Sequence, residues 1–252
     1  MGLLDVEGVS VHFGGVVALD ELSFTVEAGQ ICALIGPNGA GKTTLFNVVS
    51  RLYQPQGGRV RCDGTDLLAT PAHQIVRHGV ARTFQNVALV PGLSVLDNVL
   101  TGAHSHGTVG FGRAMLALRR GEEHQLRRQG LELLDRLSLV HLAHRPVAGL
   151  PFGTLKRIEL ARALAAQPKL LLLDEPANGL THGEVDELAD TIRSIRDQLD
   201  LTVLLVEHHM AMVMSLSEHI VVLDFGRKIA EGPPEAIRND PKVIEAYLGA
   251  PV

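Results

Sequence analysis

The 252-residue chain is 46% hydrophobic and 20% charged, which provides enough apolar material for one large domain or two small ones and excludes global disorder. Its formal net charge of −5 argues against a nucleic-acid-binding protein, and its two cysteines are too few for a disulfide framework. Because no apolar run reaches the ~18 residues that span a bilayer, and the N-terminus lacks the basic start of a secretion signal, we expect a soluble, intracellular protein.

Strands are predicted to dominate the first third of the chain. Polar and apolar side chains alternate over residues 3–12, as in a half-exposed strand, and the apolar run over residues 30–35 is typical of a buried one. Pro55 and the glycines that follow it mark a turn. Further strands are predicted over residues 22–26, 59–64 and 80–84, with a short helix over residues 71–78.

A glycine-rich segment follows the buried strand. Residues 36–44 fit the pattern G-x-x-x-x-G-K-[ST]. The glycines allow the backbone to bring its N–H groups close to phosphate oxygens, while Lys42 can reach the β- and γ-phosphates and the Thr43 hydroxyl can bind Mg²⁺. The apolar residues 45–49 predict a helix, whose N-terminus favours an anion. The predicted ATP-binding residues of this loop are Gly36, Pro37, Asn38, Gly39, Ala40, Gly41, Lys42, Thr43 and Thr44.

The pattern becomes helical from about residue 94. Ser94 is suited to cap a helix that contains the apolar residues Leu96 and Val99, and a second helix is predicted over about residues 122–137. Residues 101–118, which separate them, begin with a Gly-containing stretch and end with a short apolar segment. The block predicts an all-helical insert within an α/β chain.

Alternating helices and strands return after residue 150. The apolar strand predicted over residues 170–175 ends in two carboxylates, Asp174 and Glu175. Such alternation is typical of a parallel sheet covered by helices. The other elements predicted here are helices over residues 154–167 and 184–198, strands over 202–206 and 220–223, and short helices over 234–237 and 241–248.

Polar residues follow the carboxyl ends of several predicted strands, which is where open α/β sheets bind ligands. Thr43 and Asp174 can supply hard oxygen ligands for Mg²⁺, and Glu175 can accept a proton from an attacking water. Gln85 and His208 can each hold that water, the metal shell or the γ-phosphate by neutral hydrogen bonds. Either of the two by itself would be an ordinary solvated residue at a strand end.

Twelve histidines also raise the question of a metal centre. The pairs His104/His106 and His141/His144 have no accompanying cysteine or carboxylate at ligand spacing. We therefore interpret them as surface histidines.

Over nearly its whole length the sequence resembles an ATP-binding-cassette (ABC) subunit, and more narrowly the ATPases of branched-chain amino-acid importers. The resemblance rests on the phosphate loop, residues 82–86, residues 170–176, residues 206–208 and the tail over residues 241–248. It implies one ABC ATPase domain over residues 1–252, with a P-loop NTPase core and an antiparallel β subdomain. The implied parts are a core of about 1–93 and 166–232, a helical insert of about 94–165, and C-terminal helices of about 233–252.

The resemblance also implies roles for single residues. Phe13 would stack on adenine, and the alternative for this phenylalanine is plain core packing. Gln85 would be a hinge that contacts Mg²⁺ and responds to the membrane partner, Glu175 the general base, and His208 a switch on the γ-phosphate. The metal site would comprise Thr43, Gln85 and Asp174.

Two segments depart from the family pattern. The signature, usually Leu-Ser-Gly-Gly-Gln, reads Leu-Pro-Phe-Gly-Thr over residues 150–154, of which Phe152, Gly153 and Thr154 would face the ATP of a partner subunit. Thr181 stands where an aspartate is usual. The departures put full activity and communication between two ATP sites in doubt.

The resemblance implies a Mg²⁺-dependent ATP hydrolase at the cytoplasmic face of the membrane. It would pair with a second ABC ATPase, identical or related, and drive integral membrane permease subunits served by an extracytoplasmic substrate-binding protein. Branched-chain amino acids are the expected cargo. The alternatives are a urea or amide importer, a lipid exporter, or an ATP-dependent regulatory module without transport.

Overall fold

The chain folds around two β-sheets, as seen in a computed structural model that describes residues 2–85, 87–103 and 119–248. The strands in chain order are β1 (Leu4–Phe13), β2 (Val16–Val26), β3 (Ile31–Ile35), β4 (Gly57–Cys62), β5 (Thr65–Asp66), β6 (Val80–Arg82), β7 (Leu170–Asp174), β8 (Thr202–Val206), β9 (His219–Asp224) and β10 (Arg227–Gly232). The helices are α1 (Lys42–Val49), α2 (Val95–Ala103), α3 (Arg119–Arg136), α4 (Phe152–Leu164), α5 (His182–Leu199), α6 (Met210–Leu216), α7 (Pro234–Arg238) and α8 (Pro241–Leu248), with 3₁₀ turns at Ala72–His78 and Val140–Leu142.

The two sheets differ in strand direction. One is antiparallel, with the order β2-β1-β4-β5. The other has the order β10-β9-β3-β8-β7-β6, in which β9, β3, β8, β7 and β6 run parallel and β10 is antiparallel to β9. The α/β fold class predicted from the sequence is confirmed. The carboxyl ends of β3, β8, β7 and β6 therefore lie at one edge, in that order.

Alternation along the buried strands divides the core into layers. In β7, Leu170 and Leu172 pack into the layer shared with the antiparallel sheet and α1, whereas Leu171 and Leu173 face the layer formed with α2, α4 and α5. The period of two residues is that of any strand. A strand buried on both faces must be apolar at every position, which is why these runs were recognisable in the sequence.

The described elements between β6 and β7 are helical, and small residues set their spacing. A Cβ at Gly102 of α2 would lie 1.9 Å from the carbonyl oxygen of Arg162 in α4, so the two helices approach backbone to backbone. A Cβ at Gly130 of α3 would lie 2.8 Å from a methyl carbon of Leu96. The predicted segment over residues 113–118, His104, His106 and Asn86 lie outside the described residues, as do residues 249–252 of the predicted C-terminal region.

Several elements differ from the sequence prediction, among them the short strand β5, which was not predicted. β2 begins at Val16 rather than at residue 22. Its first part was missed because the Asp-Glu pair inside it looks like a turn in the sequence, whereas in the strand the pair occupies exposed or half-exposed positions near a bulge at Glu21 (φ 49°). β10 was not predicted, because an edge strand of charged residues carries little apolar alternation. α6, a seven-residue helix, was also missed.

Both cysteines are buried free thiols. Burial, with a smaller effect of Glu231, raises the pKa of Cys32 in β3. Burial and the neighbouring Asp63 raise the pKa of Cys62 in β4 to about 11. Both side chains behave as small apolar core residues, as predicted for Cys32.

Candidate active site

The loop between β3 and α1 is tightly enclosed on its inner side and open on its outer side. Gly36, Gly39 and Gly41 have φ angles of 151°, 84° and 102°. A Cβ at Gly36 would lie 2.1 Å from the Leu223 carbonyl oxygen, and one at Gly41 would lie 2.5 Å from that of Ala18. At Gly39 a Cβ would meet none of the described atoms within 4 Å. This side of the loop has room for phosphate oxygens next to the backbone N–H groups.

The loop is braced from both sheets by backbone hydrogen bonds. The N–H of Gly226, in the turn between β9 and β10, donates to the Ala40 carbonyl at 3.1 Å. The Gly226 carbonyl in turn accepts from the Asp20 N–H of β2 at 3.0 Å. These bonds fix the loop before any ligand arrives.

Lys42 folds back over the loop. Its Nζ donates to the carbonyl oxygens of Gly36 at 2.7 Å and Pro37 at 2.9 Å. Burial lowers the pKa of this ammonium, and the negative charge of Glu175 opposes that effect. The ammonium therefore lies over the loop that is predicted to hold phosphates, with Glu175 close enough to affect its charge.

Glu175 is held in an uncommon conformation beside Gln85. Its φ of 47° is left-handed, and its N–H donates to the Val206 carbonyl at 2.8 Å. Left-handed backbone at a residue other than glycine costs on the order of 1–3 kcal/mol and is concentrated at functional sites. Gln85 Nε2 donates to Glu175 Oε2 at 2.7 Å. Two side chains 90 residues apart, both predicted as catalytic, thus touch.

Asp174, at the end of β7, pairs with an arginine to which the sequence assigned no role. Arg82 Nη2 lies 2.6 Å from Asp174 Oδ2, and the two side chains are 9% and 8% exposed. Arg82 Nη1 also donates to Asn47 Oδ1 at 2.8 Å, which connects β6, β7 and α1. An arginine in an otherwise apolar strand was the signal that could have identified this pair.

His208 follows β8, which lies between β3 and β7 in the sheet. Its position places it between the phosphate loop and Glu175 along the sheet edge. The imidazole is more than half exposed, whereas its backbone is held by the buried acid Glu207. His141 and His144 are also exposed.

Phe13 lies at the end of β1 with 47% of its surface exposed, so it is not a core residue. The Tyr53 ring contacts it edge-on, with centroids 5.1 Å apart and planes at 70°. The sequence analysis did not single out Tyr53. The pair presents an aromatic surface with one ring supported by the other.

The signature segment, residues 150–154, lies beside Thr181, where the N-termini of α4 and α5 come together. A Cβ at Gly179 would lie 2.9 Å from the Phe152 ring, and one at Gly153 would lie 2.7 Å from a carboxylate oxygen of Glu184. Thr181 and Glu184 form a capping box at the start of α5, with bonds of 2.8 and 2.9 Å to Glu184 Oε2. Phe152 therefore packs on the loop after β7, and Thr181 begins a helix.

The donor set at this edge fits a hard divalent cation. Thr43 is exposed at the start of α1, Asp174 carries a carboxylate whose Oδ2 bonds to Arg82, and Gln85 carries an amide whose NH₂ bonds to Glu175. Oxygen ligands of this kind suit Mg²⁺.

Comparison with known proteins gives a consistent result. Residues 19–178 match the ABC transporter family, and residues 227–252 match the family described as branched-chain amino acid ATP-binding cassette transporter. The chain is similar to the high-affinity branched-chain amino acid transport ATP-binding proteins BraF of Pseudomonas aeruginosa and LivG of Escherichia coli K12. It is 42% and 40% identical to them, over 98% of this chain and 98% of each relative.

Solved structures agree. A nucleotide-free ATP-binding cassette from an ABC transporter is 31% identical, with a TM-score of 0.86 over 99% of this chain and all of the other. The ADP conformation of an ATP-binding cassette of an ABC transporter is 29% identical, with the same TM-score and coverage.

Proposed function

The chain belongs to the ABC transporter family, and we propose that it is the ATP-hydrolysing subunit of an importer for branched-chain amino acids. The observation that supports hydrolysis is the Gln85–Glu175 contact at the sheet edge that also carries the phosphate loop. The similarity to BraF and LivG over 98% of the chain supports the cargo class.

The proposed reaction begins with the phosphate loop. Lys42 exchanges its bonds to the Gly36 and Pro37 carbonyls for bonds to the β- and γ-phosphates of ATP, which offer full negative charge instead of carbonyl dipoles. The backbone N–H groups and the N-terminus of α1 hold the same oxygens. Thr44 lies one residue further into the helix, within this anion-binding end.

Glu175 then accepts the proton of the water that attacks the γ-phosphorus, while the bond from that phosphorus to the β–γ bridging oxygen breaks and ADP leaves. His208 donates a hydrogen bond to the transferred phosphate. Gln85 holds Glu175 through the 2.7 Å bond and can turn its amide oxygen toward the metal. Thr43, Asp174 and Gln85 would hold Mg²⁺, which, when bound, neutralises charge on the transferred phosphoryl group. Arg82 orients Asp174 through the 2.6 Å ion pair.

Phe13 is proposed to stack on adenine, and Phe13→Ala is expected to weaken ATP binding by about 10- to 100-fold, because base–aromatic stacking contributes ~1–3 kcal/mol. Inorganic tripolyphosphate carries the charges without the base, so its affinity should not change. Isothermal titration with both ligands checks this. Leu199→Ala, at an apolar side chain that is 40% exposed at the C-terminal end of α5, is the matched control. Equal losses for both ligands would contradict adenine stacking by Phe13.

A second ABC ATPase subunit is proposed to complete each ATP site. Phe152, Gly153 and Thr154, at the N-terminus of α4, would face the nucleotide of that partner, because N–H groups at a helix start favour the γ-phosphate. Within the described ranges, no helix is long and apolar enough to cross a membrane. The proposed partners on the membrane side are integral permease subunits, which an extracytoplasmic binding protein would serve, and this chain is proposed to dock on their cytoplasmic side.

Reconstitution tests the whole proposal. The chain is co-expressed with integral permease subunits of a branched-chain amino-acid importer, and the purified complex is placed in liposomes with ATP on the docking side and the substrate-binding protein on the opposite side. Uptake of radiolabelled leucine is expected, and it should be absent with Glu175→Gln. If the complex instead transports urea or a lipid in an ATP-dependent way, the proposal that branched-chain amino acids are the cargo is wrong. A chain that turns over ATP but never co-purifies with a permease would support a regulatory module.

A further inference from the structure

A buried acid precedes the proposed switch histidine. Glu207 is 1% exposed, and its carboxylate accepts three backbone hydrogen bonds. The donors are the N–H groups of Ala177 at 2.8 Å, His208 at 2.7 Å and His209 at 2.9 Å. Bonds of this length to an ionised acceptor are roughly twice as strong as neutral ones.

The two carboxylate oxygens are divided between two loops. Oε1 accepts from Ala177, which lies two residues beyond Glu175 in the loop after β7. Oε2 accepts from His208 and His209 in the loop after β8. One carboxyl group therefore holds the loop that carries the proposed base against the loop that carries the proposed switch.

The charge of Glu207 is stabilised mainly by these N–H groups. Among the described residues, no lysine or arginine lies within 4.0 Å of its carboxylate, and the His208 ring nitrogen is 3.8 Å away. A buried charge is costly unless it is paired or hydrogen-bonded. The role that fits this carboxylate is to accept the three N–H bonds that hold the two loops together. An apolar residue would leave three N–H groups without this acceptor.

A second buried charged residue, Lys156, holds the segment that carries Gln85. This buried lysine of α4 donates from Nζ to the Gln85 carbonyl at 3.0 Å. Burial lowers the pKa of Lys156, and the charges of Glu159 and Glu207 oppose that effect. The positive charge of Lys156 therefore lies near the negative charges of Glu159 and Glu207, beside the segment that carries Gln85.

We propose that Glu207 is a positioning residue for ATP hydrolysis, which aims His208 at the γ-phosphate and keeps the Glu175 loop in register with it. This inference rests on the proposed function of the site. Glu207→Gln cannot serve all three donors, because an amide has one acceptor oxygen and turns its NH₂ toward another N–H. Glu207→Asp keeps the charge but withdraws it from Ala177 by about one bond length, ~1.5 Å.

The test is a double-mutant cycle with His208→Ala, measured by single-turnover ATP hydrolysis on the full chain. Glu207→Gln is expected to lower the hydrolysis rate by on the order of 10²-fold, since a displacement of ~1 Å can have that effect, while ATP affinity is unchanged. In the His208→Ala background the same substitution should cost far less, because the group it positions is gone. Glu207→Asp should lie between wild type and Glu207→Gln.

The outcomes separate the inference from the function it rests on. Equal fold losses in both backgrounds, or failure of both Glu207 variants to fold in a thermal melt, would make Glu207 a structural residue and overturn the inference. If instead the wild-type chain and Glu175→Gln hydrolyse ATP at equal rates, the proposed function of the site fails. Normal hydrolysis by Glu207→Gln, beside an inactive Glu175→Gln, would overturn the inference alone.

Discussion

Replacing Glu175 with glutamine is expected to lower ATP turnover by on the order of 10²–10⁴-fold, the range that general base catalysis contributes. The amide cannot accept the proton of the attacking water at neutral pH. Its oxygen can still accept the bond from Gln85 Nε2, which is 2.7 Å long in the wild-type chain. The loop and its left-handed residue are therefore retained, and ATP affinity should be unchanged.

Turnover is measured as phosphate release, and affinity by titration with ATP. Glu27→Gln, at an exposed glutamate before β3, removes the same charge at the end of that strand opposite the phosphate loop and should have no effect. Equal turnover in the wild type and in Glu175→Gln would remove Glu175 from the role of base. A large loss of ATP affinity would instead indicate that the carboxylate supports the loop rather than the chemical step.

Local sequence patterns predicted the parts of the site that depend on neighbouring residues. The phosphate loop was recognisable because Gly36 and Gly41 must be glycine: a Cβ at either would collide with neighbouring backbone. The strand ends were recognisable because β7 and β8 are buried on both faces and carry apolar runs. The position of Glu175 at such an end followed from the same pattern.

Pairs that are distant in the sequence could not be predicted in this way. Arg82 and Asp174 are 92 residues apart, and only the parallel pairing of β6 with β7 brings them together. Glu207 was visible as an acid before His208, but its bond to Ala177 depends on how two loops meet. The support of Phe13 by Tyr53 likewise depends on where α1 ends relative to β1.

Thr181 illustrates how a departure from a family pattern can have a local reason. The sequence comparison treats it as a missing aspartate. The structure places it at the N-cap of α5, where its hydroxyl and N–H both bond to Glu184. Threonine is a good N-cap residue, as aspartate is, so the helix start next to Gly153 keeps its cap.

Arg82→Met is expected to destabilise the chain by about 3–5 kcal/mol, because it leaves the carboxylate of Asp174 buried without its guanidinium. The pair is less than a tenth exposed, and its Nη2–Oδ2 distance is 2.6 Å. Arg82 Nε is buried without a hydrogen-bond partner among the described residues, so the expected loss comes from the stranded acid and not from that nitrogen. Urea unfolding in EDTA, followed by circular dichroism, measures the change.

Two further variants identify the cause. Arg82→Met combined with Asp174→Asn should recover most of the stability, since no uncompensated charge then remains in the core. The same substitution at an exposed pair, Arg128→Met opposite Glu132, should cost less than ~1 kcal/mol, because those side chains are 77% and 61% exposed. If Arg82→Met is as mild as Arg128→Met, Asp174 does not depend on Arg82. Asp174 would then be held in place by β7 alone, without a contribution from the ion pair.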